Sequence, residues 1–451
     1  MKLIRNAEIS TGENNNTKIV DILFDEKIIQ ISEKPIITSN IKIYDLEGKL
    51  LIPGCIDAHV HFNDPGFTHH EDFLTGTSSA AAGGITTIID MPCTSIPAVT
   101  NTENLETKLK VIKSKAVIDF ALWAGIPGNN FPLDKESILD LWRSGVVGFK
   151  IYTVSGMETF KALSYDQIKS VFTELPELLF AFHAEDPEII LNSKNNYSDQ
   201  DLSKPETYVH TRPPKAEITA VRKLLQAADK QNKIHVVHVG SGKAAELIQL
   251  HKEGYDITWE TCPHYLQFTC EDFPILKGKL KTAPPVKFKE DKAILRSYLK
   301  TGELDFVTTD HAGCDWKSEK DITDFSKVYS GIPGTEFMIP YLFSEFHNKE
   351  KVSLQRMIDL TSTNAAKRYG LYPDKGSLEI GSDADFTVID LNQPFSVNEQ
   401  KLHCLGKYSP FDGETFSSSI NKTFVRGNVV YNRENGVLGK PGWGKWIKRK
   451  S

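Results

Sequence analysis

The sequence predicts an α/β protein: a TIM (β/α)8 barrel with a small β-sandwich domain formed by the N- and C-terminal segments. Three observations carry this. The centre of the chain alternates strand-like and helix-like runs. Both ends hold short β-like pieces, each too small to bury a face alone. The chain has 451 residues, more than one compact core usually takes, which points to a large unit beside a smaller one.

Residues 1–50 contain strand-like pieces at 3–4, 18–24, 27–31 and 41–46, separated by Asn, Gly and Asp. The same texture returns at 384–390 and 422–431. Joining the two ends in one sandwich assigns 1–50 and 376–451 to it, the latter with a tail, and 51–375 to the barrel. The central strands are expected at 51–56, 86–89, 118–121, 148–152, 178–183, 235–239, 257–260 and 306–309. Helices are expected at 105–115, 137–144, 215–228, 243–253 and 291–300. Eight strands, each followed by a helix or a long loop, fit a barrel. The competing open doubly wound sheet lacks its Gly-rich dinucleotide loop here.

Charge and composition narrow the function. The formal net charge is -6 with acids and bases mixed, and no basic block speaks for nucleic acid. The opening MKLIRNAEIS lacks the apolar core of a signal peptide, and no run is long enough to span a membrane. Six cysteines are scattered without a CxxC pair, so a reducing, cytoplasmic location is expected.

Metal-binding residue types recur where barrel strands end. His59 and His61 are two residues apart on an extended run, so both rings face one side. Lys150, His183, His238 and Asp310 each close a later apolar run. Imidazole and carboxylate suit zinc and similar ions. His235 competes with His238, but His238 is nearer the C-terminal end of its strand. An ammonium does not bind a cation, so Lys150 either donates a salt bridge or reacts with carbon dioxide. The resulting carbamate is anionic and can bridge two metals. Two metals sharing a hydroxide make a strong nucleophile near neutral pH. Asp310 is then the candidate proton shuttle.

The ordered segments resemble the cyclic amidohydrolases of the amidohydrolase superfamily, that is, dihydroorotases, allantoinases and hydantoinases. They are IPGCIDAHVHFNDPG at 52–66, EDFLTGTSSAAAGGITTIIDMP at 71–92, VGFKIY at 147–152, FHAED at 182–186, HVVHVGS at 235–241, ETCPHY at 260–265, KTAPPV at 281–286, TTDHAG at 308–313 and the run 362–390. The resemblance covers nearly the whole chain. It implies two Zn2+ bridged by carbamylated Lys150 and a hydroxide. His59 and His61 would hold the more buried ion, and His183 and His238 the other. Asp310 would be ligand and acid-base. It also implies opening or closing of a cyclic amide or ureide C–N bond, and a homodimer or homotetramer.

The pocket residues bear on which ring is bound. Asn63, Cys93, Ala283 and His311 are the candidate substrate contacts. Dihydroorotases usually carry arginine at the position of Asn63, to pair with the substrate carboxylate, and asparagine at that of Cys93. Thr94 and His311-Ala312 match them, whereas Cys314 stands where histidine is common. Allantoinases commonly have asparagine at 63, but differ at Phe67 and at His70-Glu71-Asp72. Hydantoinases often place tyrosine where this chain has Ser155. Losing a buried arginine clamp costs about 2–5 kcal/mol. Without it a carboxylated ring needs another cation, for which Arg212 is the candidate. The residues therefore favour a neutral ureide such as allantoin or hydantoin, with dihydroorotate the alternative. A catalytically silent assembly protein is disfavoured, because all six ligand positions are filled. Loops 153–160 and 313–330 are polar and are expected to shape the pocket.

Overall fold

The computed structural model describes residues 1–13 and 15–450. Its central strands are β1 (Cys55–Val60), β2 (Ile85–Asp90), β3 (Asp119–Leu122), β4 (Ala124–Gly125), β5 (Phe149–Tyr152), β6 (Leu179–His183), β7 (Lys233–Val236), β8 (Asp256–Thr261) and β9 (Phe306–Val307). All their pairings are parallel. β1–β2–β3 form one sheet and β4 to β9 another, in sequence order. Trp123 separates β3 from β4, and its N–H donates to Asp90 O at 3.0 Å while Ala124 N–H reaches Gly148 O at 3.0 Å. At the other seam, Val60 bridges His311 in parallel, and His61 N–H donates to His311 O at 2.8 Å. Asp57 reinforces this seam by accepting from Thr309 N–H at 3.1 Å and Thr309 Oγ1 at 2.5 Å.

Strand alternation sorts the side chains. Phe149 and Ile151 of β5, and Phe180 and Phe182 of β6, pack in the large core shared with the helices. Tyr152 and Ala181 belong to the other core, with Ile89, Trp123 and Phe306. Lys150 shares parity with Tyr152, and His183 with Ala181.

The five expected helices lie at Thr102–Ile112, Lys135–Ser144, Pro214–Ala227, Gly242–His251 and Lys289–Thr301. Two more, Phe73–Ala82 and Tyr165–Glu174, complete the alternation. The first has a weak apolar period because it is built of Ala, Ser, Thr and Gly. Its start is marked instead by Asp72, whose carboxylate accepts from Thr75 N–H. Tyr165–Glu174 opens with a Ser164/Gln167 capping box.

The single strand expected at 51–56 is two. Leu50–Pro53 leaves the centre and pairs antiparallel with Phe386–Asp390, while Cys55–Val60 stays as β1. Gly54 separates them, where a Cβ would lie 2.2 Å from Thr86 Oγ1. The two chain ends do join, but through one continuous nine-stranded sheet rather than two hydrogen-bonded layers. Leu50–Pro53 is the reason, since it also bridges Lys2–Ser10. The sheet curls: Phe24 meets Phe386 and Phe424 edge-on, at 5.3 and 6.1 Å between centroids. The apolar run at 422–431 is a hairpin, Ser419–Val425 with Asn428–Asn432. It turns through Arg426 and Gly427, both at positive φ. A Cβ on Gly427 would strike Asp25 O. The tail is packed: Trp446 bridges Phe120, and Ile447 N–H donates to Phe120 O at 2.7 Å. Among the described residues no helix is long and apolar enough to cross a membrane.

Candidate metal centre

His59, His61, Lys150, His183, His238 and Asp310 are brought together at the C-terminal ends of the parallel strands. His59 lies in β1 and His61 just beyond it, with a ladder irregularity between Asp57 and Val60. Lys150 is in β5 and His183 ends β6. His238 and Asp310 follow β7 and β9 at φ 40° and 50°. Left-handed backbone is uncommon outside glycine, though His and Asp adopt it more readily than most residues.

Distances define two halves. His59 Nε2 and His61 Nε2 each lie 3.2 Å from Asp310 Oδ1. His183 Nδ1 lies 3.0 Å from His238 Nε2. The His59 and His238 rings, 5.3 Å apart, connect the halves. His235, the rejected competitor, is sealed below them between Thr258 and Glu260.

Two buried carboxylates set the tautomers. Glu260 Oε1 is 2.5 Å from His59 Nδ1, and Glu185 Oε2 is 2.9 Å from His183 Nε2. Each carboxylate keeps a proton on the nitrogen it faces, so the lone pair stays on the opposite nitrogen. Those lone pairs aim at Asp310 and at His238. Burial raises the Glu260 carboxyl, but His59 and His235 override it and hold it below its ordinary value. Burial likewise raises Glu185, and Arg212 and His183 pull it down. Burial lowers His59, His183 and His238, the last also through His183 and Lys150, and so favours the neutral rings. Burial works against the Asp310 charge too, yet His59 and His61 hold that carboxyl at about 2.

Lys150 is fully buried, and its Nζ has no hydrogen-bond partner. Burial is the main cause that brings its pKa down to about 8. His59 Nε2 and His238 Nδ1 are also without hydrogen bonds. Orphaned buried polar atoms among neutral imidazoles are costly unless something else meets them. The donor set fits divalent metal ions.

A cavity of about 340 Å³ opens above this cluster, in the range of small-molecule sites. Of the expected substrate contacts, Cys93 and Ala283 line it. Asn63 does not: it is buried at 1 % exposure, its amide atoms without hydrogen-bond partners. His311 is not among the lining residues either. Its Nε2 is 3.2 Å from Glu71 Oε2, and its Nδ1 accepts from Gly334 N–H at 3.2 Å. Phe62 packs edge-on to the ring. These partners come from other segments of the chain, and they brace the His311 ring.

Sequence reasoning missed Glu260, Glu185 as a histidine partner, Tyr152 and Tyr329. The available signal for Glu185 was its place two residues after His183. Tyr152 stacks on His183 at 5.2 Å and places Oη 3.2 Å from Cys93 Sγ. Ser155 is occupied, donating to Phe160 O and accepting from Met157 N–H. Arg212 lines the cavity, but its Nε and Nη2 are both on Glu185.

The family model described as "Amidohydrolase family" matches residues 50–430. The chain belongs to that family. It is 33 % identical to an allantoinase of Deinococcus radiodurans, covering 100 % of this chain and 99 % of that one. It is 34 % identical to an allantoinase of Rubrobacter xylanophilus, covering 88 % and 87 %. The structure matches the L-hydantoinase (dihydropyrimidinase) from Arthrobacter aurescens with a TM-score of 0.93 at 30 % identity, covering 99 % of both chains. It matches the dihydropyrimidinase from Brevibacillus agri with a TM-score of 0.91 at 28 % identity, covering 100 % and 98 %.

Proposed function

We propose that the protein is a zinc-dependent cyclic amidohydrolase that opens a neutral cyclic ureide of the allantoin or hydantoin type. The observation that carries the choice of ring is the pairing of Arg212 with Glu185. The cation available to a substrate carboxylate is already neutralised by a buried carboxylate, and position 63 is asparagine. A carboxylated ring such as dihydroorotate would be desolvated in this cavity without a free counter-ion. Relatives named allantoinase and structural neighbours named hydantoinase support the same class.

The two bridged seams support closure of the central strands into a barrel that is eight-stranded when β3 and β4, interrupted only at Trp123, are counted as one, with the curled terminal sheet beside it. In this reading residues 51–375 are the barrel, except that Leu50–Pro53 belongs to the terminal sheet.

His59, His61 and Asp310 would hold one zinc ion and His183 and His238 a second, with Lys150 between them as its carbamate. Bound there, the ions supply polarisation of the ring carbonyl and a lowered pKa for water. The chain does the rest. A buried amine with pKa near 8 is partly neutral at physiological pH, the form that adds to carbon dioxide. Asp310, ionised well below neutral pH, takes the proton of the attacking water and delivers it to the leaving ring nitrogen. The ring C–N bond breaks, the carbonyl carbon gains oxygen, and the nitrogen gains the proton. Tyr152 Oη stands in the cavity with a weak sulfur partner and can turn to the ring. A homodimer or homotetramer in the cytoplasm is part of this reading, checked by light scattering and fractionation.

The test is a ring-opening panel on zinc-loaded protein with allantoin, hydantoin, dihydropyrimidines and dihydroorotate. Turnover of a neutral ring is expected. Turnover of dihydroorotate alone would overturn the choice of ring.

A further inference from the structure

We propose a separate site for a zinc-like divalent cation, formed by His69, His70 and Glu319, beside the cavity-lining Tyr329. It does not depend on the reaction assigned above. One potential ligand atom from each residue lies within 4.8 Å of the others. His70 Nε2 is 2.7 Å from Glu319 Oε1, and the two imidazole centroids are 4.2 Å apart. Glu319 Oε2 accepts from Asp315 N–H at 3.0 Å, which orients Oε1 toward the rings. Two imidazoles and a carboxylate form a donor set that suits zinc, and water can fill the remaining position because His69 is exposed.

A second group of potential ligands shows what a closed cluster looks like. Asp119, Asp383 and Asp385 also converge. Lys375 Nζ already sits among them, at 2.6, 3.0 and 2.7 Å. That position is taken by the protein's own cation. Glu319, by contrast, has His70 as its ion-pair partner and no lysine or arginine among the described residues.

The location gives the site a consequence. His69 and His70 follow β1 in the chain, and Glu319 lies in the segment that continues to Tyr329. The His70 and Tyr329 rings are 5.0 Å apart, and Tyr329 lines the cavity. A cation shared by His69, His70 and Glu319 would therefore tie together two segments that meet beside Tyr329.

The experiment is a Zn2+ titration of the holoprotein by calorimetry, with metal counted after equilibrium dialysis. His69→Ala is the informative variant, because it leaves the His70–Glu319 pair and all six central ligands in place. Wild type should bind one more zinc ion per chain than His69→Ala, or bind it at least about tenfold more tightly, the scale on which even indirect supports of a metal act. Glu319→Gln should weaken the same event, and the tightly held metal and basal turnover of His69→Ala should match wild type. Equal stoichiometry and affinity in wild type and His69→Ala would overturn the proposal.

Discussion

At the N-terminal ends of the central strands, Asp119 opens β3 and is enclosed by cations. Lys375 Nζ lies 2.6 Å from it and Arg426 Nε 3.1 Å. Lys375 also reaches Asp385, and Lys445 N–H donates to Asp119 at 2.8 Å. Three parts of the chain, β3, the terminal sheet and the tail, meet there through compensated charge. At the opposite ends of the same strands, His59 Nε2, His238 Nδ1 and Lys150 Nζ are equally buried but have no hydrogen-bond partner. Both regions bury polar groups at high desolvation cost; the first pairs its carboxylates with the chain's own cations, whereas these three nitrogen atoms of the second are left unmet. The contrast separates a structural cluster from one built to receive something. It also agrees with the general division of such folds, in which the C-terminal face carries chemistry and the N-terminal face stability.

The largest effect should come from the open cluster. Asp310→Asn keeps the size of the side chain but removes its proton-accepting charge. Turnover should fall on the order of 10²–10⁴-fold, with a melting temperature near that of the wild type. A melting temperature that collapses together with activity would place Asp310 in the structural class instead.

Next comes the closed cluster. Lys375→Met leaves Asp119 and Asp385 buried without their shared cation, and should cost about 3–5 kcal/mol of stability. Urea denaturation measures it, and activity per folded molecule should hold. Its pH dependence is also defined. Burial raises the Asp119 carboxyl, but Lys375 and Arg426 together hold it below its ordinary 3.8. Its stabilisation is therefore present above 3.8 and is lost as pH falls through the lower folded value. Removing Lys375 raises that folded value, so acid unfolding of the variant should begin at higher pH.

The smallest effect tests the support behind the open cluster. Glu185→Gln removes the carboxylate that keeps the proton on His183 Nε2 and neutralises Arg212. Metal affinity should drop about 10–100-fold, read by competition with a chelator. Unchanged affinity would mean that Glu185 serves Arg212 alone.

Residue spacing alone brought out the six central side chains, because each closes an apolar run and strand periodicity dictates which way it points. Lys150 illustrates this, since a lysine between Phe149 and Ile151 has to occupy the face opposite to theirs. Helix Phe73–Ala82 was hidden because small residues pack a helix without leaving an apolar stripe. The Glu71 partner of His311 was not legible, because a histidine after a strand looks the same in sequence whether it faces a pocket or a buried carboxylate.

What the sequence by itself determined is the alternation of strands and helices, the family, and the identity of the side chains that gather at the strand ends. These follow from local periodicity and from residue chemistry. What only the tertiary structure decided is which nitrogen of each histidine is free, that Arg212 is already neutralised, and that the chain ends share one sheet. Those depend on partners such as Glu260, Glu185 and Phe386, which meet their targets only when distant segments pack together.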